Sequence, residues 1–345
     1  MVLPHTFLNA LLLMMLTMFC WGSWWNSYKL AGKWRFELLY WDFILGVMVA
    51  AAIAAFTFGS LGYDGFLFSD DLMRAGRRNM AMGMGAGAIF NLGNMLLLAA
   101  VSVSGMSVAL PVGLGTALIV AAIWSQASHP QGNPTMLLTG LGLVLAAVVV
   151  NTYAYRRVAL VKARQAIKMG KGRVNIPTVG WKPTVLAVVG GLLAGSFYPL
   201  VETSQAGDAG LGPYAIAFMF AAGIFFSTFI YNLFFMNLAV QGRPVEMLEY
   251  LKGTLKQHAL GLAGGVLWAV GAIASFVVAS APEAHLEPAL TYGLGQGAAV
   301  VGALWGLLAW KEFRDSDAPA KILMGTMAIL FAAGVALVSV ARLYP

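Results

Sequence analysis

The feature that most restricts the fold is a succession of apolar stretches, each near the length of about 20 residues that carries a helix across a bilayer. Ten can be marked, at approximately 7–27, 38–59, 80–102, 105–127, 136–155, 183–203, 213–238, 257–279, 289–309 and 320–342. The stretch at 289–309 is the most diluted, by Gly and Gln. A backbone in hydrocarbon must satisfy its own N–H and C=O groups, which leaves only helices and closed barrels. These runs are continuous and lack the period-two alternation of barrel strands, so a β-barrel is excluded. Composition agrees, with 60% hydrophobic residues, 10% charged residues and a mean hydropathy of +0.78. A soluble domain carries about 25% charged residues. The expectation is an all-α polytopic membrane protein of ten transmembrane helices.

The net charge of +7 is arranged by side. If alternate connections lie on opposite faces, 17 of the 21 Lys and Arg fall on one face, in 28–37, 156–182, 239–256 and 310–321. Arg74, Arg77, Arg78 and Arg342 fall on the other. The positive-inside rule makes the first face cytoplasmic and puts both termini outside. The charge is thus explained by topology, and no nucleic-acid partner is implied. Met1 to Thr6 carries no Lys or Arg, so the first stretch reads as a retained helix and not a cleaved leader. Cys20 is the single cysteine, which rules out an intramolecular disulfide and reads as a small apolar filler.

The basic stretch 156–182 contains no acid and divides the chain into two five-span halves, 1–155 and 183–345. Faint matches link them. Gly22-Ser23-Trp24-Trp25 is answered by Gly195-Ser196-Phe197-Tyr198, at an offset of 173 residues. The Gly87–Gly93 string is answered by Gly265–Gly271 at 178, and Gly113-Leu114-Gly115 by Gly293-Leu294-Gly295 at 180. An odd number of spans per half makes such a duplication inverted, and the interface of inverted halves is where carriers place a substrate. Of the remaining segments, 60–79 reads as an outer loop with a short surface helix. Residues 243–256 read as an interfacial amphipathic helix, and 128–134 as a tight outer turn.

Polar groups in mid-span are costly and so are candidates for function. Asn91 and Asn94 share one face of the third span. Their repeat counterparts are Ala269 and Ala272, so one half alone carries the amides. Carboxamides suit the hydroxyls of a sugar or the ring amides of a ureide, and serve equally as packing glue between helices. Gln296 is a further mid-span amide. Trp24 and Trp268 offer rings for stacking, Trp268 pairing with Phe90 in the repeat. Trp24, Trp25 and Trp41 also fit an interfacial belt. Asn26 completes the substrate-binding candidates. For coupling to an ion, Asp42 is the carboxylate well within a stretch, with Glu202 and Lys29 near span ends. Asp42 serves either as a proton carrier or as a structural partner of Lys29 or Arg35. No histidine reads as mid-membrane. No nucleophile triad, metal-ligand spacing or nucleotide loop is present, so neither an enzyme nor a cofactor is expected.

The string Phe19-Cys20-Trp21-Gly22-Ser23-Trp24-Trp25-Asn26-Ser27-Tyr28-Lys29-Leu30, followed by Trp34-Arg35-Phe36-Glu37-Leu38-Leu39-Tyr40-Trp41-Asp42, carries a resemblance. So do Phe90-Asn91-Leu92-Gly93-Asn94, Ala109-Leu110-Pro111-Val112-Gly113-Leu114-Gly115 and Pro130-Gln131-Gly132-Asn133-Pro134. Together they resemble bacterial members of the glucose/ribose porter and ureide permease branch of the drug/metabolite transporter superfamily. The motifs cover the first 155 residues, and the second half agrees in span number. Trp25, and Ser128-His129 before the turn, depart from the pattern and bear on substrate choice. The resemblance implies two inverted five-helix repeats in a bacterial inner membrane, and carriage of sugars or heterocyclic ureides, often with protons. The leading expectation is a proton-coupled sugar transporter. A ureide, purine or nucleoside permease is the alternative, and an exporter of drugs or metabolites, suggested by the 18 methionines, is a third.

Overall fold

The computed structural model describes every residue except 129, 131, 169–180, 285–293, 296, 315 and 342–345, together with the backbone but not the side chains of 162, 163, 165–168 and 282. The described residues form helices and connections, with no strand among them. The elements are α1 (Phe7–Ser23), α2 (Trp25–Leu30), α3 (Phe36–Phe56), α4 (Phe68–Arg74), α5 (Arg77–Ser104), α6 (Met106–Ser128) and α7 (Pro134–Lys168). They continue as α8 (Lys182–Gln205), α9 (Pro213–Asn237), α10 (Leu255–Ala279), α11 (Ala298–Leu304) and α12 (Ala318–Ala341).

Nine helices among the described residues are long and apolar enough to cross a membrane, α1 and α2 together forming the first. The ninth expected stretch appears as a shorter apolar helix, Ala298–Ala309, whose last turn is a π-helix from Trp305. Of that stretch, residues 289–293 and the candidate Gln296 lie outside the described residues. Three connections differ from expectation. α7 continues through the basic segment to Lys168. The segment expected as an amphipathic helix is a short 3-10 helix, Met247–Lys252, ahead of the Thr254–Gln257 capping box that starts α10. The surface helix in the outer loop, expected across Asp70 to Arg78, spans Phe68–Arg74.

Burial orders the spans. About two thirds of the apolar window is buried in α3, α5 and α6, against 28% in α12 and 33% in α7. α7 and α12 therefore pair with each other at the periphery, crossing where Gly140 meets Gly334. In the centre α5 packs on α8 and α9, α10 on α1 and α3, α8 on α6, and α1 on α11. Small residues permit these approaches, because hydrocarbon gives no hydrophobic drive for helix association and close packing must supply it. A methyl group at Gly87 would strike the Phe220 carbonyl, and one at Gly265 the Phe43 carbonyl. Between α5 and α6 the chain turns at Gly105, whose φ of +87° suits glycine. The turn leaves the first amides of α6 unpaired by the helix, and the Glu312 carboxylate fills the place.

Candidate functional site

Where α1, α3, α5, α8, α9 and α10 converge, the centre is filled by aromatic rings. Phe90 of α5 stacks on Trp268 of α10 with centroids 4.7 Å apart and planes at 30°. Around them, Trp24 lies 4.6 Å from Phe43, and Phe197 5.4 Å from Phe220. Phe43 reaches Trp268 at 6.4 Å, and Phe220 reaches Phe90 at 5.5 Å. Phe220 and Trp268 are near-parallel, at 16°. These are offset and edge contacts, the geometries that ring quadrupoles favour. Trp21 stacks on Trp268 from the side of α1, and its buried Nε1 has no hydrogen-bond partner among the described residues. An unpaired buried donor is costly, which makes this N–H, beside Gly271, a candidate donor to a ligand. Of the sequence candidates, Trp24, Phe90 and Trp268 meet here. Trp24, Trp25 and Trp41 are all buried, which overturns their reading as an interfacial belt.

Asn91, next to Phe90, and Asn94, one turn on, are also buried, in a polar network between α3, α5 and α9. The Tyr40 hydroxyl donates to Asn91 Oδ1 at 2.8 Å and accepts from Asn94 Nδ2 at 3.0 Å. Asn91 Nδ2 lies within 2.8 Å of the Ser227 and Thr228 hydroxyls and 3.1 Å of the Ile224 carbonyl. The network joins the helices that carry Phe43, Phe90 and Phe220 and so fixes where those rings stand. Asn26 is elsewhere, toward the end of the first span. Its Nδ2 donates to the Ser23 carbonyl, and its Oδ1 accepts from Trp310 Nε1 at 2.7 Å.

The charged candidates separate. Lys29 Nζ is 2.7 Å from Glu312 Oε1, and Arg35 pairs with Glu37, whose side chain is fully buried. Neither touches Asp42, so the expected structural pairing of Asp42 is corrected. Asp42 instead faces His258 of α10, whose Nδ1 lies 2.9 Å from Oδ2 and 3.1 Å from Oδ1. The Tyr250 hydroxyl donates to Asp42 Oδ1 at 2.5 Å, and Trp34 packs its ring on both Tyr250 and His258. Burial, then the hydrogen bond and charge of Asp42, push the Tyr250 phenol well above its usual range, so it stays a donor. Sequence reading missed His258 because depth along α10 was its only signal. Asp42 lies six residues into α3 and His258 three residues into α10, so both sit near helix starts. Glu202 lies on an exposed part of α8 near its end, apart from this cluster.

Glu312 closes the same end of the first span. Besides Lys29 it accepts from the Met106 and Ser107 amides at 3.0 and 2.9 Å. Burial raises its carboxyl, but the Lys29 charge and hydrogen bond and the two amides outweigh this and hold it below the usual carboxylate range.

Fold and burial together define an all-α polytopic membrane protein. No family model matches the chain, and no curated protein matches it. A solved protein crystal structure is similar to it in fold, with a TM-score of 0.51 at 15% identity, over 98% of this chain and 100% of the other.

Proposed function

We propose that the chain is a secondary transporter of a small polar metabolite, in the first reading a sugar, built as two inverted five-helix repeats and coupled to protons. The observation that carries this reading is the Phe90–Trp268 stack. The two rings are counterparts in the repeat, and a residue in contact with its own counterpart sits where an axis between the halves would pass. The neighbours fit the same exchange. Trp24 against Phe43 answers Phe197 against Phe220, and Gly46 and Gly265 on one interface answer Gly223 and Gly87 on another. Helix pairings follow suit: α5–α8 answers α10–α1, α5–α9 answers α10–α3, and α6–α8 answers α11–α1. The tenth span of this reading would be completed by Ala298–Ala309 and the residues before it.

In this reading the aromatic cluster forms the substrate site at mid-membrane, and rocking of one bundle against the other exposes it to each side in turn. Ring faces stack on the apolar face of a pyranose, and Trp21 Nε1 donates to a hydroxyl. Asn91 and Asn94 hold the cluster in place. Asp42, with His258 as its partner, is the proton carrier. The near-parallel Phe220 and Trp268 planes favour a flat ring as well, which supports a ureide or purine permease as the second reading.

A thermal-shift screen of the purified protein against sugars, ureides, nucleosides and cationic dyes tests the assignment, with Trp268→Leu as the control. Stabilisation by a sugar in the wild type and not in the variant supports the first reading. Stabilisation by planar heterocycles alone selects the second. Response only to dyes overturns both.

A further inference from the structure

α8 and α9 both pack along α5 but touch each other little, so they diverge and leave a crevice of about 460 Å³ between them. That volume lies within the range of about 300–1,000 Å³ found for small-molecule sites. Its floor is Leu92 and Leu96 of α5, and its walls include Leu186 of α8 and Ile230 and Phe234 of α9. Ile230, Phe234 and Leu238 are exposed, so the crevice opens to the surroundings of the bundle. Around a membrane-spanning bundle those surroundings are acyl chains. One charged group stands at the lip. The Lys182 ammonium donates to the Val240 carbonyl at 2.7 Å and makes no ion pair among the described residues. An ammonium has three donors, so two remain. Beside it Trp181 is 73% exposed, the placement of an interfacial anchor. The flanking segment 156–182 carries eight Lys and Arg and no acid, which draws anionic headgroups to this face.

We infer that the crevice between α8 and α9 is a binding site for an anionic phospholipid, with one acyl chain on the Leu92–Leu96 floor and the phosphate on Lys182. The inference is independent of the transport reading. The occupant fits the groove in both parts: a long apolar body for the crevice and a negative group for the uncompensated cation. It wedges α8 and α9 at their divergence, and those helices carry Phe197 and Phe220.

Native mass spectrometry of the full-length protein in a neutral detergent, titrated with phosphatidylglycerol or phosphatidylcholine of matched chains, tests this. The wild type should retain one phosphatidylglycerol in preference to phosphatidylcholine, and should unfold at higher temperature with it. Lys182→Gln should weaken phosphatidylglycerol about five-fold, to the level of phosphatidylcholine, from the loss of one cation at an anionic surface. Leu96→Trp, which fills the floor, should weaken both lipids; gel filtration and circular dichroism establish its folding. Equal affinity for the two lipids in the wild type would overturn the inference. So would a preference that survives Lys182→Gln, unchanged binding in folded Leu96→Trp, or displacement of the lipid by soluble glycerol phosphate.

Discussion

The Lys29–Glu312 contact yields a ranked prediction because its two members depend on each other unequally. Glu312 holds three donors, the Lys29 ammonium and the Met106 and Ser107 amides, in a place where its side chain is 13% exposed. Lys29 has one carboxylate partner among the described residues and lies 5.9 Å from the centre of the Trp310 ring. Hydrogen bonds to charged groups contribute about 1.5–3 kcal/mol, and removing one partner of a buried pair costs about 3–5 kcal/mol. Partial exposure on the Lys29 side brings this down. We therefore expect Glu312→Ala to cost about 3 kcal/mol and Glu312→Gln about 2 kcal/mol, since the amide oxygen keeps a backbone donor. Lys29→Met should cost only about 1 kcal/mol, because two amides still hold the carboxylate. The coupling energy of the double-mutant cycle should be about 1–2 kcal/mol. Unfolding by sodium dodecyl sulfate in mixed micelles, followed by fluorescence of the ten tryptophans, gives the differences. The pH dependence has a fixed sign. A carboxyl with a folded pKa below its unfolded value contributes fully above the ordinary carboxylate range, and its contribution is lost as pH falls through the folded value. A cost of Lys29→Met equal to or above that of Glu312→Gln would refute this account of the amides, and vanishing coupling would refute the pair itself.

Tyr40→Phe removes the hydroxyl that both asparagines share, and should lower stability by about 1–3 kcal/mol in the same assay; Ser227→Ala should cost less, because Thr228 and the Ile224 carbonyl still hold Asn91. Gly87→Leu should yield no folded protein on gel filtration, whereas Gly85→Leu, where an added side chain meets open space, should fold normally. In proteoliposomes Trp268→Phe should keep substrate binding within about ten-fold by preserving a ring face, one step of about 1.4 kcal/mol, while Trp268→Leu should abolish it. Asp42→Asn should remove uptake driven by a pH gradient and spare exchange at equal pH; unchanged gradient-driven uptake would return Asp42 to a structural role.

What the sequence made legible follows from the length scale of each interaction. Spans were legible because twenty apolar residues are a local property that the bilayer imposes. The glycine strings were legible because close crossings need small residues whatever the partner helix. Partners were not. Asp42 and His258 are 216 residues apart, and Lys29 and Glu312 are 283 apart. Such pairs are fixed by which helices cross, and periodicity within one helix says nothing about that. The tryptophans show the same limit. Position along the spans gave Trp24, Trp25 and Trp41 an interfacial place, but burial depends on the neighbouring helix and puts them inside.

The repeat gains its meaning from the places where it fails. Under the exchange that relates Phe43 to Phe220 and Phe90 to Trp268, Asp42 corresponds to Met219 and His258 to Met80. Tyr40 corresponds to Ala217, and Asn91 to Ala269. The apolar frame is thus matched in both halves, while each of these hydrogen-bonded groups has an apolar counterpart. In the transporter reading, two matched bundles give two orientations of nearly equal energy, and a ligand shifts between them only by binding one better than the other. The Asp42–His258 contact ties α3 to α10, whereas the equivalent crossing of α9 on α5 carries methionines, which have no charge to gain or lose. In the same reading a proton would act on one crossing and not on its counterpart. In that reading, this difference between the halves is how a pH gradient would act on a frame of two matched bundles.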